Sequence, residues 1–461
     1  MTHPASSTDV VVIGAGCAGL AAAARLAEGG ARVVVIEQAP RLGGRASAFT
    51  DKATGERVDN GQHVLFGCYR HTYEFLRLIG TESLAPLQSR LSLTMADARG
   101  HRHQLVCPDV PPPWHLLAGL LRWSALPVAD RLRALRVGPT VQRARRHGAE
   151  AAADRVPREQ TVEAWLMSIG QSKRLCEWLW HPLTLAALNQ SPDVAAAAPF
   201  VRVLAELFGR EPQASAIGLS RVPLDELYAE PARRFLEARG GAVYLQEAGV
   251  VEQDRAGAVT GVRTGRGTIT TRHVVSAVPW FAFRTIWQGD VPPPVAGIAA
   301  NADRMGSSPI VTINLWLDGP AMDVPFMGLV DGPVHWVFDK ARICGAGANH
   351  LALVTSGADV LAASDNAEVT AQAFGHLCAA VPAARGRRVL RSVVVRERRA
   401  TFSLAPGGPA RPPAQTELPG FVLAGDWTDT GLPATIEGAV LSGHRAADLV
   451  LAGSPKCRPP E

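Results

Sequence analysis

Lysine is nearly missing from this chain: among 461 residues only Lys52, Lys173, Lys340 and Lys456 carry it, so the formal net charge of +5 rests on arginine. The arginines are spread out, without a dense basic block interleaved with aromatics, and a nucleic-acid partner is therefore not expected. The seven cysteines (17, 68, 107, 176, 344, 378 and 457) are an odd number with no metal-ligand spacing, which disfavours both a disulfide scaffold and a metal site and fits reduced thiols in the cytoplasm. No run reaches the roughly 18 uninterrupted apolar residues of a membrane span. Residues 1–9 also lack the basic segment and apolar run of a signal peptide. Charged residues make up only 19% of the chain against 47% hydrophobic ones, and the mean hydropathy is +0.06. That balance leans toward an apolar substrate or a membrane surface, where the net positive charge would favour anionic lipid. The expected location is cytoplasmic, peripheral on the inner face of the cell membrane.

What is present is organised around glycine. The β-rich run Val10-Val11-Val12-Ile13 leads into Gly14-Ala15-Gly16-Cys17-Ala18-Gly19 and then an Ala-rich helix from Leu20. Gly14 permits the tight turn, Gly16 lets the backbone approach a pyrophosphate, and Gly19 allows close helix packing, while the helix N-terminus supplies N–H donors. A second strand, Arg32 to Glu37, ends in a carboxylate placed to accept from both hydroxyls of an adenosine ribose and to repel a 2′-phosphate, with Gln38 following. Near the other end, Phe421 to Ala424 reads as a short buried strand running into Gly425-Asp426, and Pro433 precedes a helix from Ala434.

The continuation Arg41-Leu42-Gly43-Gly44-Arg45-Ala46, directly after Glu37, resembles the glycine-pair segment of the amine oxidase and phytoene desaturase superfamily of flavoproteins. The resemblance implies an α/β fold: a Rossmann-like FAD-binding domain with an inserted mixed β-sheet substrate domain and a helical insertion. It implies FAD lying along Gly14, Gly16, Ala18, Gly19, Glu37, Gln38, Gly44 and Arg45, with Val250 beside the adenine. Gly425 and Asp426 would hold the ribityl and diphosphate region, and Thr435 and Ile436 would present helix N–H groups to the flavin, stabilising the anion of its reduced form. Glu437 reads as a structural carboxylate. The FAD domain is expected to be discontinuous, over residues 9–88, 223–288 and 416–453. Residues 89–222 form the helical insertion and 289–415 the substrate domain, with strands at 310–317, 334–338, 351–355 and 389–396.

Within that superfamily, no lysine occurs between Arg304 and Asp318, and Leu432-Pro433-Ala434 stands where an amine oxidase tends to have an aromatic, so an amine substrate is disfavoured. The segments Val58 to Tyr69 and Ala424 to Ala439 closely resemble the hydroxysqualene dehydroxylase family. The resemblance implies reduction of the allylic alcohol hydroxysqualene to squalene in bacterial hopanoid or triterpenoid synthesis, with an electron donor that the chain does not identify. A carotenoid or phytoene-type desaturase and a non-catalytic flavin-binding scaffold are the alternatives. Two readings stand for the loop after Asp59. His63 and Asp59 could supply the acid, or Asp59 caps backbone N–H groups while Gly61, Gln62 and His63 line the flavin ring. Trp114 to Trp123, two indoles framing an apolar turn beside arginines, likewise reads either as a membrane contact or as a core helix.

Overall fold

The computed structural model describes residues 7–453 apart from 210, 212 and 348, so Lys456, Cys457 and the first six residues lie outside it. A parallel five-stranded sheet runs in the order Phe421–Leu423, His273–Ser276, Val10–Ile13, Val33–Glu37, Ala242–Leu245. Its central strands are valine-rich and buried on both faces, as a sheet covered by helices requires. Helix Cys17–Glu28 packs along helix Ile436–Gly453. Gly443 makes that contact possible, since a Cβ there would stand 2.3 Å from the Ala18 carbonyl oxygen. The first and last segments of the chain therefore form one unit. Beside it, Val250–Gln253, Val259–Thr264 and Gly267–Thr270 make an antiparallel three-stranded sheet.

The second large sheet has seven strands, in the order Val389–Phe402, Ser307–Leu317, His350–Ser356, Trp336–Asp339, Phe326–Leu329, Ser92–Ala96, Arg102–Val106. All its pairings are antiparallel except that of Phe326–Leu329 with Ser92–Ala96, so the sheet is mixed. Ser92–Ala96 and Arg102–Val106 fall where the sequence division puts the helical insertion. Their side chains alternate only weakly; the two strands form a local hairpin, and what recruits it to the sheet is the pairing of Ser92–Ala96 with Phe326–Leu329, which local pattern does not reveal. From Trp114 to Leu207 the insertion is helical, around a core that includes Trp123, Trp165, Trp178, Trp180 and Phe200.

The six described cysteines are all free. Burial pushes the Cys17 and Cys107 thiols up to about 11 and that of Cys176 to about 12, which makes them packing residues rather than nucleophiles. Among the described residues no helix is long and apolar enough to cross a membrane.

Candidate flavin site

The glycine loop has the shape its sequence requires. Gly14 sits at φ +106°, and a Cβ on Gly19 would lie 1.9 Å from the Gly14 carbonyl oxygen, so only glycine fits there. A Cβ on Gly16 would meet nothing within 4 Å, which leaves open space over the first turn of helix Cys17–Glu28. That helix start has no side-chain cap and no acidic residue in its first turn. An uncapped helix N-terminus beside open space is a fit for a pyrophosphate. The second glycine motif lies on the first: Gly43 N–H donates to the Ala15 carbonyl at 2.9 Å, and a Cβ on Gly44 would be 3.2 Å from Gly16 Cα. Ala18 is buried under this loop.

At the adenosine end, Glu37 closes the second strand and accepts from Ala15 N–H at 2.7 Å and Ala39 N–H at 2.8 Å. Each of its oxygens keeps a further lone pair for a ribose hydroxyl. Gln38 is exposed beside it. The Glu247 N–H donates to the Glu37 carbonyl at 3.0 Å, and Gly249 packs against Ile13, which brings Val250 to the same end of the sheet.

Toward the other end, Arg45 donates to Asp426 at 2.5 Å and to the Ala400 carbonyl at 2.8 Å, and it lies over the Trp280 ring. The two motifs at opposite ends of the chain thus meet through an ion pair. Gly425, at φ +136°, donates to Ser442 Oγ at 2.8 Å. Thr435 caps helix Ile436–Gly453, its Oγ1 accepting from Gly438 N–H at 3.0 Å. The first N–H groups at Ile436 have no intrahelical acceptor by geometry. Glu437 turns away and accepts from His71 N–H, Thr72 N–H and Thr72 Oγ1 at 3.1, 2.9 and 2.7 Å, anchoring helix Arg70–Leu78. The negative charge in this first turn is therefore spent on structure.

The loop Gly61-Gln62-His63 faces the mixed sheet, since a Cβ on Gly61 would lie 3.7 Å from both Thr312 Oγ1 and His63 Cε1. His63 Nδ1 donates to the Gly61 carbonyl at 2.9 Å, and burial holds its pKa below the usual 6.5, so the ring is neutral. Asp59 accepts from Leu224 N–H at 3.0 Å with one oxygen and from Lys340 Nζ at 3.0 Å with the other. Lys340 also donates to Gln62 Oε1 at 2.6 Å. Sequence reasoning passes over Lys340; the only signal is a lone lysine closing the apolar run Trp336-Val337-Phe338-Asp339. It also misses Arg411, hidden among prolines, which donates to the backbone carbonyls of Asp426 and Leu432 at 2.9 and 2.7 Å and to that of Thr428, holding the loop ahead of the C-terminal helix.

Cross-strand pairing puts Ile310, Val354 and Ala352 on one face of the mixed sheet together with Phe338, Thr312 and Asn314. Phe326, Phe338, Ala352 and Val354 pack there with Val64 and Phe66 into an apolar patch, on a face that also carries Ser356 and His350. An apolar patch beside a few polar groups suits contact with a long hydrocarbon that carries one polar function.

The profile of the family described as flavin containing amine oxidoreductase matches residues 17–451. The chain belongs to that family. It is an FAD-dependent oxidoreductase. A hydroxysqualene dehydroxylase of Rhodopseudomonas palustris is 32% identical over 452 residues, covering 97% of this chain and 99% of the relative. A zeta-carotene desaturase of Zea mays is 25% identical, covering 96% and 83%. Among solved structures, cyclohexylamine oxidase from Brevibacterium oxydans superposes with a TM-score of 0.69 at 19% identity, covering 96% and 98%, and shares the fold. The expected fold class and the resemblance to hydroxysqualene dehydroxylases are borne out over nearly the whole chain.

Proposed function

We propose that the protein reduces hydroxysqualene to squalene with loss of water, on a route to hopanoids or related triterpenoids. The observation that carries this reading is the near-complete match to a hydroxysqualene dehydroxylase at 32% identity. The apolar patch on the mixed sheet against the Gly61–His63 loop supports it. FAD would be held by Gly14, Gly16, Ala18, Gly19, Gly44 and Arg45 along the diphosphate. Glu37, Gln38 and Val250 would take the adenosine, and Gly61, Gln62, His63, Gly425, Asp426, Thr435 and Ile436 the flavin end. Reduced FAD, when bound, supplies two electrons as hydride to the allylic carbon.

The chain's own residues bind, orient and exclude water. Thr435 and Ile436 would present a helix N-terminus to the ring of bound FAD. The apolar patch keeps solvent from an electron-poor allylic carbon as its C–O bond weakens. Asp59, with both oxygens engaged, positions Leu224 and Lys340. Neutral His63 offers Nε2 as an acceptor, so these two residues shape the polar end of the site.

The substrate would arrive from a lipid surface. Val110, Trp114, Leu121, Val128, Leu132 and Leu135 are six of the twelve exposed large hydrophobics among the described residues, and they fall within 26 consecutive positions. Trp114 is 61% exposed. Trp123, which the sequence pairs with it, is instead buried at 1% and packs edge-on against Trp178, so a single indole faces outward. Arg122, Arg133 and Arg136 are exposed among these residues and would meet anionic headgroups at the cytoplasmic face. Electrons would come from a separate reductase or from diffusing reduced flavin.

A second reading, desaturation of a carotenoid, is favoured by the similarity to zeta-carotene desaturase and runs electrons the opposite way. Product analysis decides: squalene from the reduced enzyme supports dehydroxylation, and a desaturated isoprenoid from the oxidised enzyme supports the alternative.

A further inference from the structure

Lys52 and Lys173 are exposed, whereas Lys340 is 4% exposed and sits where the mixed sheet meets the FAD domain. An ammonium has three donors. Two go to Asp59 Oδ2 at 3.0 Å and Gln62 Oε1 at 2.6 Å, and the third is taken by no described residue. Across the same loop, Thr312 Oγ1 and Asn314 Nδ2 are buried without a hydrogen-bond partner among the described residues. Both lie on the same face of the sheet as the apolar patch, Thr312 next to Gly61. Orphaned polar groups in an apolar lining cost about 1–3 kcal/mol each unless something polar completes them. The hydroxyl of a long-chain allylic alcohol is such a group.

The other candidates for the acid are occupied. Asp59 as a carboxylate only accepts, and both of its oxygens are engaged. His63 is neutral, and its one proton points at the Gly61 carbonyl. Resting on the dehydroxylation reading, we propose that Lys340, oriented by Asp59 and Gln62, is the acid that protonates the departing hydroxyl. The proton passes from Nζ to the alcohol oxygen, the C–O bond breaks, and water leaves. The carbon takes the hydride supplied by the reduced flavin, so the substrate gains two electrons and the flavin loses two. The neutral amine then regains its proton from solvent. Asp59 and Gln62 are positioning residues in this scheme.

The test compares hydroxysqualene with its acetate ester, whose leaving group needs no proton, in single turnovers of photoreduced holoenzyme. Lys340→Gln is expected to retain FAD and the change in the visible flavin spectrum on adding hydroxysqualene. Its turnover of the alcohol should fall about 10²–10⁴-fold, the range of general acid catalysis, with the ester slowed less than about tenfold. Lys340→Arg keeps the charge beside Asp59 but does not release a proton. It safeguards the test should the glutamine variant misfold, and it should show the same split. An equal fall on both substrates, or alcohol turnover by Lys340→Arg at the wild-type rate, overturns the assignment. Wild-type protein that yields squalene from neither substrate removes the dehydroxylation reading and this proposal together. Wild-type turnover that survives in both variants removes only the lysine.

Discussion

Replacing Gly16 by alanine separates cofactor binding from folding more cleanly than any other change in this site. Gly16 has φ −80° and ψ −176°, a conformation open to any residue, and its added Cβ would touch nothing within 4 Å. The apoprotein should therefore lose no stability and gain about 0.4–1 kcal/mol, because alanine restricts the unfolded chain. FAD should bind worse, since the methyl occupies the space through which a pyrophosphate reaches the helix N–H groups. Losing one charge-assisted hydrogen bond costs about 1.5–3 kcal/mol, which weakens binding roughly 10- to 150-fold. Gly19→Ala is the contrast. Its Cβ would be driven to 1.9 Å from the Gly14 carbonyl oxygen, so the backbone must shift. That variant should lose about 1–3 kcal/mol in the apoprotein as well. Thermal unfolding of deflavinated protein and titration with FAD by fluorescence quenching read the two quantities separately. Gly16→Ala that binds FAD within threefold of wild type, or that loses apoprotein stability as Gly19→Ala does, would refute the cradle.

Three other perturbations follow from the same geometry. Burial lowers the pKa of His335 and His444 to about 4 and that of His350 to about 3, so each stays neutral in the fold after the unfolded chain has taken a proton near 6.5. Their contribution is complete above that value and is lost as pH falls toward 4. Unfolding free energies from urea titrations between pH 7 and 5 should drop with a slope approaching about 4 kcal/mol per pH unit from these groups, and a flat profile would contradict the burial. Asn189 donates to the Ser308 carbonyl and Thr401 Oγ1 at 3.0 Å and accepts from Gly357 N–H at 2.8 Å, tying the helical insertion to the mixed sheet. Asn189→Ala should cost about 3 kcal/mol by chemical denaturation, and a loss under 1 would mean the contacts are dispensable. Trp114→Ala combined with Leu132→Glu should weaken co-sedimentation with anionic vesicles at least about tenfold while leaving the melting temperature unchanged; unaltered sedimentation would remove this surface from the account.

The cofactor half of the molecule was legible in the sequence because glycine speaks through backbone geometry. Gly14, Gly19 and the Gly43-Gly44 pair are required by the backbone itself and Gly16 by the approach of a pyrophosphate, so their spacing survives without knowledge of the fold. The substrate half was only partly legible. Long alternating runs such as Ile310 to Leu317 announced strands, whereas the hairpin of Ser92–Ala96 and Arg102–Val106 gains its place because Ser92–Ala96 pairs with a strand more than 200 residues away. The polar end of the site was the least visible. Asp59 and Lys340 are 281 positions apart, and nothing local marks them as a pair. Trp123 misled for the related reason that an indole near arginines reads the same in a core as at a surface, until Trp178 is seen packed on it.

The most direct test of the central claim is anaerobic. The purified protein is photoreduced in detergent, hydroxysqualene is added, and flavin reoxidation and product are followed together, the latter by mass spectrometry. The account predicts squalene formed in step with reoxidation, one molecule per flavin. Flavin that stays reduced in the presence of hydroxysqualene, with a desaturated isoprenoid formed only by the oxidised enzyme, would contradict it.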